Sequence, residues 1–109
     1  MSEKITDIRF GGIKRLYGHQ QFDWLQEAHF CVVGIGGVGS WAAEALARTG
    51  LGRITLIDLD DICATNVNRQ IHALSGTIGH AKVDAMKARC ELINPECNID
   101  VIDDFITLE

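Results

Sequence analysis

Gly34-Ile35-Gly36-Gly37-Val38-Gly39-Ser40 is the stretch that decides the fold. It follows an apolar run, Phe30 to Val33, and precedes an alanine-rich, helix-forming run, Trp41 to Thr49. Strand, glycine turn and helix in that order form the local architecture that holds a nucleotide phosphate. Gly34 permits the tight turn. Gly36 lets the backbone approach an anion with no side chain in the way, and Gly39 lets the helix pack close to the strand. Unpaired amides at the helix start carry partial positive charge and attract the anion. The motif points to a nucleotide without saying which one.

Outward from this bend the chain divides into short elements. Residues 1–18 hold no clear period, include Gly11, Gly12 and Gly18, and read as an arm with a turn of helix. His19 to Ala28 sets Phe22 and Leu25 one turn apart beside Trp24, the pattern of a short amphipathic helix. Phe30 to Val33 does not alternate, as expected of a strand buried on both faces, which puts Cys31 in the core. A second helix spans Ser40 to Thr49 and stops at Gly50. Arg53 to Asp58 is the second strand. Residues 59–79 form a long connection with a turn of helix around Asn66 to His72, and a loop of that length usually serves function. His80 to Ile93 is a helix with Val83, Met86, Cys90 and Ile93 on one face, ended by Asn94-Pro95. Asn98 to Asp103 alternates as a third strand.

This order is one mononucleotide-binding half of a doubly wound sheet. The expected fold is α/β: a Rossmann-like half with three parallel strands in the order 3-2-1 and helices on both faces. The expected division is an arm, 1–18, and a nucleotide-binding domain, 19–109. In such a half the first strand normally lies mid-sheet. With nothing after residue 109, Phe30 to Val33 would be an exposed apolar edge, which proteins avoid. The expectation is therefore an N-terminal portion, incomplete without a C-terminal half or a partner.

Composition narrows the classes of function. A length of 109 residues, 47% of them apolar and 23% charged, fits one small globular domain. No apolar stretch approaches the roughly 18–20 residues that span a bilayer. Met1 to Arg9 is too polar for a signal peptide, which points to the cytoplasm. The four cysteines, Cys31, Cys63, Cys90 and Cys97, show no Cys-x-x-Cys pair and no histidine at zinc spacing. They read as reduced thiols and no metal site is expected of them. Cys63 alone falls near the suspected site. A net charge of −5 argues against nucleic-acid binding by this domain alone. Lys4, Arg9, Lys14 and Arg15 crowd the arm, where a solvated segment is the ordinary reading.

A glycine turn alone is a weak signal, and the following residues sharpen it. Asp58 ends the second strand, where an acid can accept hydrogen bonds from ribose hydroxyls. A surface aspartate at a strand end is the bland alternative, and an NAD site would use the same residue. Asn66, Arg69 and Gln70 fall three and four apart and share a face of a helical turn. An arginine beside the bend meets phosphate oxygens bidentately. Lys82 opens the next helix, where its charge can stabilise a triphosphate or leaving pyrophosphate. Each cation singly can be a solvated surface charge. Together they suit ATP better than a dinucleotide, whose pyrophosphate rests mainly on backbone amides. His72 and His80 read as solvated loop histidines, with a base role open for either. Trp41 reads as packing rather than adenine stacking.

Gly34–Ser40, Ile54-Thr-Leu-Ile-Asp58-Leu-Asp60, Asn66-Val-Asn-Arg-Gln70, Gly79-His-Ala-Lys82 and Ile93-Asn-Pro95 together resemble the ubiquitin-activating-type adenylyltransferase superfamily (ThiF/MoeB/HesA-like). The resemblance covers about residues 9–105. It implies ATP as cofactor, with Gly34, Gly36, Gly37, Gly39, Asp58, Asp60, Asn66, Arg69 and Lys82 around it. Arg69 and Lys82 are then the catalytic pair. Arg9-Phe-Gly-Gly, Arg15-Leu-Tyr-Gly, Ser40–Gly50 and Asn68-Arg-Gln-Ile-His-Ala-Leu74 look most like the branch that modifies tRNA. That branch uses ATP to adenylate the threonyl carboxylate of threonylcarbamoyladenosine and close it into a ring. The alternative within the superfamily adenylates the C-terminus of a ubiquitin-like sulfur carrier. An NAD oxidoreductase gives no reason for Asn66, Arg69 and Lys82, and a non-catalytic module keeping the nucleotide fold is a further alternative. The resemblance also implies Mg2+ held by an aspartate beyond residue 109 and a homodimer. It further implies tRNA contacts mainly outside this chain, a sulfur-transfer partner, and membrane association through a C-terminal segment. Many members carry a second arm arginine that reaches the neighbouring subunit's site. That position is Gly12 here, which leaves Arg9 or Arg15 as substitutes.

Overall fold

The computed structural model describes residues 8–104, so Lys4 of the basic arm lies outside the described residues. Among the described residues, after helical residues 8–9, come α1 (Gly11–Tyr17) and α2 (His19–Glu27), packed on each other. They are followed by β1 (His29–Val33), α3 (Gly39–Arg48), β2 (Arg53–Ile57), α4 (Lys82–Ile93) and β3 (Asn98–Ile102). The connection from β2 to α4 contains a 3-10 turn, Ala64–Asn68. The helix in the arm is longer than the single turn expected of it.

All strand pairs are parallel, in the order β1-β2-β3, which is the expected 3-2-1. Phe30 pairs with Ile54, and Ile54 with Ile99. β2 is central, and Ile54, Thr55, Leu56 and Ile57 are all buried, as a strand covered on both edges requires. The core joins Ile54, Leu56 and Ile99 to Ala43 and Ala47 of α3 and to Val83, Met86 and Cys90 of α4. The helical period of α4 thus points its apolar face inward as expected. Burial pushes the Cys90 thiol up to about 12 and the Cys97 thiol up to about 11, so both stay protonated and inert.

Two expectations are corrected. Helices were expected on both faces, but α3 and α4 touch each other and share one face of the sheet. Right-handed crossovers along 3-2-1 put both helices on one side, so covering the other face takes crossovers on the far side of β1. β1 was expected to be buried on both faces. Val33 is instead 59% exposed and Cys31 lies on the surface, because α3 and α4 cover one face; with β2 its one partner among the described residues, β1 is the exposed edge that the sequence anticipates.

Glu44 of α3 is clamped between Arg48 of its own helix, at 3.2 Å, and Arg89 of α4. Burial pushes its carboxyl up, yet hydrogen bonds from Arg89 and Arg48 outweigh that and leave its pKa below the ordinary value. Arg9 donates 2.8 Å hydrogen bonds to the carbonyls of Leu92 and Ile93. It therefore caps the C-terminal end of α4, where exposed carbonyls and the helix dipole favour a cation.

Candidate functional site

The glycine bend lies at the C-terminal ends of β1 and β2, where open α/β sheets hold ligands. Its glycines have two different causes. Gly34 has φ +86°, a left-handed conformation that disfavours side chains. A Cβ on Gly39 would sit 1.7 Å from the Gly34 carbonyl oxygen, so the helix passes too close for any side chain. Gly36 and Gly37 are under no such pressure. A Cβ on Gly36 would meet Gln70 at 3.9 Å, and one on Gly37 would meet Arg69 at 3.7 Å, both ordinary contacts. Packing within the chain requires glycine at the first pair and not at the second. No side chain caps the N-terminus of α3, and of its leading N–H groups that of Ser40 donates to the Gly36 carbonyl at 3.0 Å.

Four side chains lock this backbone. Asp58 Oδ2 accepts the Ile35 N–H at 2.6 Å, and its Oδ1 accepts the Asp60 N–H at 2.8 Å. Ser40 Oγ donates to the Gly36 carbonyl at 2.5 Å and accepts the Ile71 N–H at 3.2 Å. His72 Nε2 lies 2.8 Å from the Ile35 carbonyl oxygen. Trp41 Nε1 donates to the Arg69 carbonyl at 2.9 Å, so Trp41 is a tether and stays 54% exposed. Residues 69–72 are thereby docked onto the bend from a loop distant in sequence.

The expected ligand residues gather around this frame. The Cγ and Cδ atoms of Arg69 lie beside Gly37, and its guanidinium donates to the Thr65 carbonyl at 3.2 Å and Asn68 Oδ1 at 3.1 Å. Asn66 is buried, and its Oδ1 accepts the Cys63 N–H at 2.8 Å. It therefore caps the 3-10 turn that carries Arg69. Lys82 is 8% exposed, and its backbone N–H donates to the Asp60 carbonyl at 3.0 Å. Among the described residues no carboxylate comes within 4.0 Å of its ammonium. Burial lowers the pKa of His72, the Lys82 charge adds to that, and the Ile35 hydrogen bond and Asp58 oppose it. Asp58 and Asp60 also line a cleft of about 370 Å³ with Val33, Gly34, Ile57, Leu59 and Asp104.

Sequence reasoning underrated two residues. Gln70 is buried, and its amide nitrogen approaches Gly36, leaving Oε1 without a partner. Its place on the face shared with Asn66 and Arg69 was the available signal. His72, read as a solvated loop histidine, is in fact 2% exposed. His80 is exposed as expected, and Cys63 is exposed with its thiol 3.8 Å from the Asp61 carbonyl. Arg9, a candidate to substitute for the missing arm arginine, is engaged within the chain on α4.

A parallel three-stranded half-sheet and a glycine bend leading into a helix, with Arg69 beside the bend and Lys82 at the start of α4, give the architecture of a Rossmann-like α/β protein. The chain belongs to the ThiF family, which it matches over residues 12–109. It is similar to the tRNA threonylcarbamoyladenosine dehydratase of Escherichia coli, 61% identical over 110 residues, covering 98% of this chain and 41% of that protein. A crystal structure of the E. coli enzyme in complex with ATP superposes with a TM-score of 0.92 at 62% identity, over 93% of this chain and 42% of that one. The molybdopterin-synthase adenylyltransferase of Haemophilus influenzae is 35% identical over 79 residues, covering 72% of this chain and 32% of that protein. The chain thus spans about two-fifths of the length of the dehydratase it matches.

Proposed function

We propose that this chain is the ATP-binding portion of a tRNA-modifying dehydratase that activates a carboxylate by adenylation. The observation that carries the reading is the Arg69 side chain beside Gly37 on the glycine bend, with Lys82 opening α4 and making no ion pair among the described residues. A cation beside a glycine bend and a helix N-terminus favours an anion there. The ATP complex of a relative 62% identical to this chain supports a triphosphate as that anion.

In this reading the amides of Gly36 and Gly37 and the α3 N-terminus hold the phosphates. Asp58 spends one lone pair of each oxygen on a backbone N–H and keeps others for ribose hydroxyls. The threonyl carboxylate oxygen attacks the α-phosphorus, the bond to the β-phosphate oxygen breaks, and pyrophosphate leaves. Arg69 and Lys82 stabilise the charge that builds on the departing group. A carbamoyl nitrogen then attacks the acyl carbon, loses its proton, and expels AMP as the ring closes. Water is lost overall at the expense of ATP. No protein nucleophile is needed, and the chain contributes position and electrostatics. Among the described residues no group of three or more His, Cys, Asp or Glu is arranged to hold a metal ion; magnesium usually needs only one or two carboxylates together with the phosphates themselves. The same reading takes the protein as a homodimer acting on tRNA in the cytoplasm. Among the described residues no helix is long and apolar enough to cross a membrane.

The second reading, activation of a ubiquitin-like sulfur carrier, draws on the similarity to the molybdopterin-synthase adenylyltransferase. Pyrophosphate exchange separates the two. Exchange that depends on tRNA bearing threonylcarbamoyladenosine supports the dehydratase. Exchange that needs a ubiquitin-like carrier instead overturns it.

A further inference from the structure

His72 has no part in the chemistry above, yet it is the most deeply buried imidazole among the described residues. Its Nε2 faces the Ile35 carbonyl oxygen at 2.8 Å. A carbonyl only accepts, so Nε2 carries the proton and Nδ1 is a bare acceptor. That Nδ1 is buried and has no partner. An unsatisfied buried polar atom is destabilising, a cost that an apolar side chain of similar size would avoid. The residue's own backbone is held by Thr77, whose Oγ1 donates to the His72 carbonyl at 2.5 Å.

The Ile35 carbonyl and the Gly36 N–H belong to one planar peptide unit, and no peptide bond among the described residues is cis. In a trans unit these two groups point in opposite directions. Anchoring the carbonyl therefore aims the N–H. The next unit is anchored the same way, since Ser40 Oγ holds the Gly36 carbonyl and so aims the Gly37 N–H. A glycine in the bend leaves such units free to flip, so the anchors decide their direction.

We propose that His72 is a positioning residue that aims the Gly36 N–H at the bound phosphate by clamping the carbonyl of the same peptide unit. This rests on the reading of the site as an ATP site. Burial keeps the imidazole neutral, with the Ile35 hydrogen bond opposing that, Lys82 reinforcing it and Asp58 opposing it. The neutral Nε2–H form is the one that can clamp.

Three nitrogen-15 NMR and titration measurements test the proposal. His72→Phe keeps a ring and removes the donor. It should move the Gly36 amide resonance and raise the ATP Kd roughly tenfold, about the worth of one hydrogen bond, while leaving adenosine affinity unchanged. His72→Gln returns an amide donor and should recover most of the ATP affinity. A general loss of structure would weaken ATP and adenosine together. The unsubstituted protein should show a neutral Nε2–H imidazole at pH 7, which keeps the test open should the variants not fold. An Nδ1–H or doubly protonated ring, or a Phe variant that binds ATP normally with an unmoved Gly36 amide, overturns the proposal. Failure of the unsubstituted protein to bind ATP overturns the ATP reading instead, while the imidazole form and the Gly36 shift still report on the clamp.

Discussion

The carboxylate of Asp58 takes the peptide N–H of Ile35 at 2.6 Å, which ties the end of β2 to the bend that leaves β1. The same group holds Asp60 through its other oxygen. Hydrogen bonds to a charged acceptor are worth about 1.5–3 kcal/mol each. Asp58→Ala should therefore lower the urea midpoint of unfolding and also weaken AMP binding through the ribose. A variant with wild-type AMP affinity removes the ribose role, and one with wild-type stability removes the bracing role.

The two kinds of glycine in the bend should separate on substitution. Gly39→Ala drives a methyl group into the Gly34 carbonyl and should cost about 3 kcal/mol or more. Gly36→Ala meets only the Gln70 amide at ordinary distance, so thermal unfolding should barely change while ATP affinity falls. Equal losses of stability in both would mean that Gly36 is glycine for reasons of packing alone.

Glu44 sets an acid limit on the contact between α3 and α4. Its folded pKa lies below the ordinary 4.5, so its contribution is full above that value and is lost as pH falls through the folded pKa. Glu44→Gln should flatten this part of the pH–stability curve. Its arginine partners are partly exposed, so the change should be about 1 kcal/mol or less. Urea titrations between neutral and acid pH measure it, and an unchanged slope in the variant would contradict the assignment.

Lys82→Met keeps the buried stem and removes the ammonium. Pyrophosphate exchange should fall about 10²–10³-fold, the scale of losing one charge-stabilising group at a reacting phosphate. Thermal stability should hold, because no ion pair among the described residues is lost. A large loss of stability with normal exchange would make Lys82 a structural residue.

Much of the frame is legible from residues 30–58 and 80–102, where apolar runs and a helical period record burial directly. β2 and α4 are of this kind. β1 misleads in part, because Phe30 to Val33 carries the pattern of a strand covered on both faces, whereas α3 and α4 cover one; its exposed edge was legible. Arg69 and Lys82 stand out by charge and spacing after a glycine turn. His72 and Ser40 do not, because their hydrogen bonds reach across the fold from a loop without period. Asn66 reads as a ligand, and its Oδ1 also serves as a cap, a local bond that its neighbours Cys63 and Arg69 do not announce. Arg9 reads as an arm cation and instead finds the open carbonyls at the end of α4.

The central claim is that the glycine bend, Arg69 and Lys82 enclose one triphosphate. Isothermal titration of the protein with ATP and with NAD, repeated on Arg69→Ala and Lys82→Met, tests it most directly. The account predicts saturable ATP binding that weakens in both variants, with NAD silent. NAD binding without ATP binding, or ATP affinity indifferent to both cations, would contradict it.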